Sequence, residues 1–208
     1  MNNPHSIWEA RYASSKKKGS NHSSEWLDSW LQSADGQSRQ ALDLGCGFGI
    51  DTEGLLKAGF EVTSVDFAIE ALKHSRARNP QATHIQRDLS EGIGHFEKSF
   101  SLVVANLSLH YFSKAQTERI VSGIHDALTE GGLFIFRVNS KEDKNFGAAV
   151  DSPDWALIDV GGVQKQFFNE PMIDELLENR FEIVSLEQLD TDRYTKTKKL
   201  IECVARKR

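Results

Sequence analysis

Hydrophobic and polar positions come in alternating blocks along this chain. Residues 41–44, 60–65, 101–105 and 133–138 are short runs dominated by Leu, Val, Ala, Ile and Phe. Apolar runs of this length, bounded by turn residues, predict strands buried on both faces. Helical spacing recurs between them. One helix is expected from about residue 50 to 58, stopped by Gly59, and another over 68–78, stopped before Pro80. Ser113 reads as the cap of a helix carrying Ile120, Ile124 and Leu128, and a short strand near 84–86 ends at Asp88. Strand and helix alternate repeatedly, which predicts a parallel sheet with helices on both faces.

The flanks carry weaker signals. Behind Ser23-Ser24, Trp26, Leu27, Trp30 and Leu31 recur at helical spacing, up to a break at Ala34-Asp35-Gly36. Glu130-Gly131-Gly132 turns the chain into the fifth strand. Residues 139–162 then read as irregular, with a short helix expected near 153–157; long loops of this kind often close over substrates. Asn169-Glu170-Pro171 reads as a helix start leading to Leu177. Strands at 181–186 and 200–205 have no helix between them, which predicts an antiparallel hairpin closing one sheet edge. With no repeat or linker, the chain divides into a polar segment, 1–22, in which Trp8 and Tyr12 stand out, and one domain, 23–208.

Composition narrows the function. At 208 residues, 39% hydrophobic and 26% charged, the chain fits one soluble globular domain. A net charge of −5 gives no general attraction for nucleic acid or an anionic membrane. The basic clusters Lys16-Lys17-Lys18 and Arg206-Lys207-Arg208 lie near chain ends, as solvated charge or as a phosphate-binding patch. No apolar run approaches the roughly 20 residues of a membrane span, and MNNPHSIWEARY lacks the apolar centre of a secretion signal. Cys46 and Cys203 make neither a disulfide framework nor a zinc site, so a reducing, cytoplasmic setting without a metal is expected.

The candidate chemistry sits in ALDLGCGFGIDTEGLL, residues 41–56. Gly45, Gly47 and Gly49 follow the first strand and open a helix, where bare backbone and free N–H groups can meet a polar ligand. The dinucleotide fingerprint needs a glycine where this chain has Ile50. Asp43 would repel a pyrophosphate but suits an ammonium group. Asp66, at the end of the second strand, occupies the position where a carboxylate pairs with ribose hydroxyls. Asp88 ends the third strand and can accept from an exocyclic amine. The implied ligand carries an adenosine and an amino-acid-like tail but no phosphates. The alternative is that Asp66 and Asp88 only form turns; Cys46 reads as a small buried filler.

These residues resemble a known family. Asp43-Leu44-Gly45-Cys46-Gly47-Phe48-Gly49 looks like the first motif of class I S-adenosylmethionine-dependent methyltransferases. Val65-Asp66-Phe67 resembles their second motif, Arg87-Asp88-Leu89 their adenine-contacting turn, and Ala127-Leu128-Thr129-Glu130-Gly131-Gly132 the turn before their fifth strand. The resemblance implies a Rossmann-like, seven-stranded, mostly parallel sheet with a C-terminal antiparallel hairpin, and S-adenosyl-L-methionine as cofactor. It implies that the Gly45, Gly47 and Gly49 backbone meets the methionine part, with Asp43 orienting the loop or the ammonium group. Asp66 would hold the ribose, Phe67 the adenine face, and Asp88 with Leu89 the adenine edge. Asn106, just after strand four, joins this cofactor-contacting set.

The acceptor should be written after strand four, in Ala105-Asn106-Leu107-Ser108-Leu109-His110-Tyr111-Phe112. This is not the Asn/Asp-Pro-Pro-Tyr/Phe of nucleobase and glutamine amino-methyltransferases. It also lacks the clustered carboxylates of the magnesium-dependent catechol type. A small-molecule acceptor is expected. Trp8-Glu9-Ala10-Arg11-Tyr12, with His22 and the Trp26/Trp30 helix, is similar to the N-terminal covers of thiopurine and tellurite-resistance methyltransferases. That similarity implies that Trp8 and Tyr12 wall the substrate cavity; otherwise they only anchor the chain end. His110 and Tyr111 lie where a general base could reach the acceptor, or form its wall. Arg137 and Asn139 are expected to face the same cavity and favour an acidic or polar acceptor, unless Arg137 is paired structurally. The competing reading is a protein that binds the cofactor without turnover.

Overall fold

The computed structural model describes residues 4–14, 24–31, 38–97, 99–149, 151–192 and 196–208. The chain begins with helix α1 (Pro4–Ser14), then a 3-10 turn (Glu25–Leu27) that runs into α2 (Asp28–Leu31). Next come β1 (Gln40–Leu44), α3 (Ile50–Lys57), β2 (Glu61–Asp66), α4 (Ile69–Arg78), β3 (Thr83–Gln86) and β4 (Phe100–Asn106). Helix α5 (Lys114–Ala127) leads into β5 (Leu128–Asn139). A small hairpin of β6 (Ile158–Val160) and β7 (Val163–Lys165) precedes α6 (Glu170–Leu177), β8 (Phe181–Thr191) and β9 (Lys198–Lys207). Ser23, His22, Lys16-Lys17-Lys18 and Ala34-Asp35-Gly36 lie outside the described residues.

Seven strands form one sheet in the order β3-β2-β1-β4-β5-β9-β8. Pairing is parallel from β3 to β5, and β9 runs antiparallel to both β5 and β8. The expected mostly parallel sheet with a C-terminal antiparallel pair is therefore present. Its central strands are mostly apolar because both faces are covered. Leu42, Val103, Ala105, Phe134 and Phe136 pack on one face with Ile120 and Ile124 of α5 and Ile173 of α6. Their neighbours Ala41, Leu102, Val104, Leu133 and Ile135 pack on the other with Leu55 of α3. Successive strand residues point to opposite faces, so one uninterrupted run feeds two cores. Each fully buried large side chain contributes roughly 1.5–3 kcal/mol.

Caps define the helices that the sequence foretold. Ser113 forms a reciprocal capping box with Gln116 at the start of α5, and Asn169 accepts from Met172 N–H at the start of α6. Ser24 makes no such cap. It packs instead over Gly54 of α3, where a Cβ would lie 2.0 Å from the Ser24 hydroxyl. The region 139–162 departs from expectation. No helix forms at 153–157, where Trp155 adopts φ +64. The Trp155 indole N–H reaches Glu175 at 2.9 Å and its ring lies edge-on to Phe168. Tertiary partners have claimed the side chain that a helix would have turned elsewhere.

Strand order reverses between β1 and β4, each of which sends its following helix to a different face. In open parallel sheets ligands bind outside the carboxyl ends of the strands at such a reversal. The glycine loop, Asp66, Asp88 and the segment after β4 all lie there.

Candidate active site

The glycine loop is clamped to β2 by its backbone: Gly45 and Cys46 both donate to the Val65 carbonyl, at 2.8 and 3.0 Å. Gly45 has φ +76, and a Cβ there would lie 2.5 Å from Cβ of Ser108, so the segment after β4 crosses against bare backbone. Ser108 locks that crossing by donating to the Leu44 carbonyl at 2.8 Å. Gly47 donates to Oδ2 of Asp66 at 2.9 Å, while Ala68 N–H donates to Oδ1 at the same distance. Burial raises the Asp66 pKa, and these backbone hydrogen bonds oppose the rise. The Cys46 thiol is pushed well up by burial and stays protonated, as a small filler would.

Of the two roles expected for Asp43, its position suits the loop and not the ammonium group. It lies beneath the loop, 2% exposed and absent from the cavity wall, where it accepts from the Thr52 hydroxyl at 2.6 Å. Burial, followed by the nearby Asp51, pushes its pKa up to about 8. Asp51, in the first turn of α3, does line the cavity beside the loop. It accepts from the Trp26 indole N–H at 2.8 Å and from the Asn106 amide at 2.7 Å. The carbonyl oxygen of Asn106 is buried with no partner among the described residues. The sequence signal for Asp51 was its first-turn position immediately after the loop.

A cavity of about 630 Å³ opens above these strand ends, within the usual range for small-molecule sites. On the β1–β3 side it is lined by Gly45, Cys46, Gly47, Phe48, Asp66, Phe67, Asp88 and Leu89, whereas Gly49, expected to join them, packs against Ser75 and Asn79 instead. On the β4–β9 side it is lined by His110, Tyr111, Phe112, Phe146, Lys165 and Lys198. Helix α1 contributes His5, Trp8 and Tyr12 to the same lining. Its anchor is Glu9, whose carboxylate accepts from the N–H groups of Ile69 and Glu70 at 2.7 and 3.1 Å, capping α4 from a distance. Trp8 meets Tyr111 edge-on at 5.2 Å, and Tyr12 meets Phe48 at 5.0 Å. The Tyr12 hydroxyl lies 2.9 Å from where a Gly47 Cβ would be, and burial followed by Asp66 raises its pKa, keeping the phenol neutral. His5 stacks on Phe67 at 4.6 Å and lies 3.0 Å from the Asp88 carboxylate. Neither Glu9 nor His5 was singled out, because nothing local in the sequence marks a cap supplied by another helix.

His110 is 1% exposed, with its backbone carbonyl accepting from Gln166 N–H at 2.7 Å. Burial, then Lys198 and Lys165, holds its pKa well below 6.5, so the imidazole is neutral at pH 7. Its Nδ1 has no partner among the described residues. Arg137 and Asn139 do not line the cavity. Arg137 shares strand parity with Ile135 and faces the α3 side, where it pairs with Glu202 at 2.5 Å and stacks over Trp26 at 4.2 Å. Asn139 is fully buried with its carbonyl accepting from Phe168 N–H at 2.8 Å. The structural pairing of Arg137 therefore replaces the cavity-facing expectation.

Among the described residues no helix is long and apolar enough to cross a membrane. Residues 41–132, which carry the loop, Asp66, Asp88 and the segment after β4, match a methyltransferase domain family. An uncharacterized methyltransferase of Synechocystis is 38% identical over 96 residues, covering 46% of this chain and 45% of that protein. The ubiquinone biosynthesis O-methyltransferase of Bordetella avium is 45% identical over 138 residues, covering 62% of this chain and 55% of that one. The chain thus spans about half the length of these relatives. The fold is shared with the N-methyltransferase NodS of Bradyrhizobium japonicum, solved with S-adenosyl-L-homocysteine. The TM-score is 0.71 at 17% identity, over 99% of each chain. The glycine loop clamped to the acid-ended second strand, in a sheet of this order, thus lies within the region 41–132 that is similar to the methyltransferase domain family.

Proposed function

We propose that this chain transfers a methyl group from S-adenosylmethionine to a small-molecule acceptor by in-line displacement. The observation that carries this reading is that one cavity joins the glycine loop and Asp66 to the segment after β4. The cradle fits the cofactor: the Gly45 and Gly47 backbone lines the cavity, and the missing Cβ atoms make room for Ser108 and the Tyr12 hydroxyl to close in on it. Each Asp66 oxygen holds one backbone N–H, leaving a second lone-pair direction for a ribose hydroxyl. Phe67 and Leu89 offer the adenine its faces and Asp88 an acceptor at its edge, with the His5 ring competing for the Phe67 and Asp88 contacts. Asp51 is the cavity carboxylate suited to an ammonium group, and Asn106 fixes its orientation.

When bound, the cofactor supplies an electrophilic methyl group on a sulfonium, so the protein's task is alignment and exclusion of water. Trp8 and Tyr12 serve the second purpose as part of a cover that includes α1. Tyr111 and Phe112 orient the acceptor. A neutral His110 with a lowered pKa is a weak base, so it suits a nucleophile that arrives as an anion or loses its proton easily. The cavity's size and the net charge of −5 support a small molecule rather than nucleic acid.

Thermal-shift titration with S-adenosylhomocysteine, followed by methyl transfer across thiols, heterocycles, carboxylates and phenols, tests the proposal. A stabilising shift with turnover on one class supports it. Binding with no turnover on any class points to a non-catalytic cofactor-binding protein.

A further inference from the structure

The β4–β9 side of the cavity contains a group of charges that cofactor binding does not use. Lys165 ends β7 and Lys198 begins β9, and both line the cavity beside His110. The Lys198 ammonium lies 4.0 Å from Asp143 and 5.0 Å from the Phe146 ring centroid, with only 7% of its side chain exposed. Lys165 forms no ion pair among the described residues. Its pKa is lowered by burial and then by Arg11, while burial, opposed by Asp143, holds Lys198 at about 8. Lys165 and Lys198 both lie in the field of Asp143, and Arg11 adds positive charge beside Lys165.

A stability role accounts poorly for this arrangement. Two partly buried ammonium groups that repel each other are costly, and apolar residues of similar volume would serve the fold better. Two cations lining one wall instead have a use when a negative group enters the cavity. We infer that the acceptor carries an anionic group, a carboxylate or a phosphate, held by Lys165 and Lys198 while its apolar body packs against Phe112, Phe146 and Val163. The inference rests on the methyltransferase reading and adds the acceptor's chemical class to it. His110 Nδ1, buried and without a partner among the described residues, supplies a further polar contact on the same wall. The recognition element is built from the hairpin and the start of β9, outside the matched region 41–132.

Calorimetric titration of the full chain saturated with S-adenosylhomocysteine tests this, using benzoate, its neutral isostere benzamide, and inorganic phosphate. At least one anion is expected to bind about tenfold or more tightly than benzamide, as charge-assisted hydrogen bonds in a partly desolvated site imply. Tighter benzoate identifies a carboxylate acceptor; tighter phosphate identifies a phosphate. The double variant Lys165→Met/Lys198→Met should lose that preference while keeping its affinity for S-adenosylhomocysteine. Equal binding of benzoate and benzamide with no phosphate binding, or unchanged anion affinity in the double variant, overturns the inference. Failure of S-adenosylhomocysteine itself to bind would instead sink the methyltransferase reading, so the two failures are distinguishable.

Discussion

The Asp66 carboxylate accepts the Gly47 amide at 2.9 Å, so the end of the second strand holds the middle of the glycine loop. One side chain thus shapes the loop and faces the cavity. Asp66→Ala should lower the melting temperature of the free protein, because two buried N–H groups lose their acceptor at roughly 1–3 kcal/mol each. It should also weaken S-adenosylhomocysteine binding by about tenfold or more, the loss of a charged hydrogen-bond partner. Calorimetric affinity equal to the wild type's would remove Asp66 from the ribose.

Glu9 ties the N-terminal helix to the body of the domain by capping α4. Loss of a helix cap costs typically about 0.5–2 kcal/mol. Glu9→Ala should leave the core folded while loosening α1, and trypsin should then cut at the exposed Arg11 faster than in the wild type. The same variant should bind S-adenosylhomocysteine but transfer methyl groups more slowly, as water gains entry. A digestion rate and turnover both matching the wild type would mean that Glu9 is not the anchor and α1 not a cover.

The buried Asp43 imposes a pH dependence. Its folded pKa, about 8, lies above the ordinary 3.8, so the native state binds a proton that the unfolded chain releases. Stability attributable to this group is full below pH 3.8 and falls as pH rises through that window toward 8. Asp66, also raised by burial, contributes with the same sign. Calorimetric melting across the window should show a declining midpoint. Asp43→Asn should flatten the decline and exceed the wild type at the alkaline end. A decline of the same steepness in Asp43→Asn would assign the effect to another group.

Arg137 supports the fold rather than the acceptor. Its pair with Glu202 is largely buried, at 15% and 13% side-chain exposure, and it also covers Trp26. Arg137→Met should cost more than the roughly 1 kcal/mol ceiling of a surface pair, up to about 3 kcal/mol. At this chain length that is a midpoint drop of about 2–4 °C per kcal/mol. Affinity for S-adenosylhomocysteine and for anionic probes should be unchanged. Loss of anion binding in a stably folded Arg137→Met would return Arg137 to the cavity.

Local patterns in the sequence determined the frame. Apolar runs such as 101–105 can be buried only between two helical layers, and the glycines at 45, 47 and 49 permit a bare loop at a strand end. Those features, with Asp66 closing β2, follow from period, propensity and turn chemistry, which act over a few neighbouring residues. Tertiary structure decided which side chains share the cavity. Asp43 and Asp51 are eight positions apart, yet only the fold turns one beneath the loop and the other onto the wall. Arg137 left the cavity because strand parity directed it toward Trp26 and Glu202, which lie far away in sequence. The Lys165–Lys198 pair exists only because the small hairpin and the antiparallel β9 converge beside the segment after β4. No spacing rule encodes such convergence, since it depends on how separately folded segments pack rather than on any one segment's own pattern.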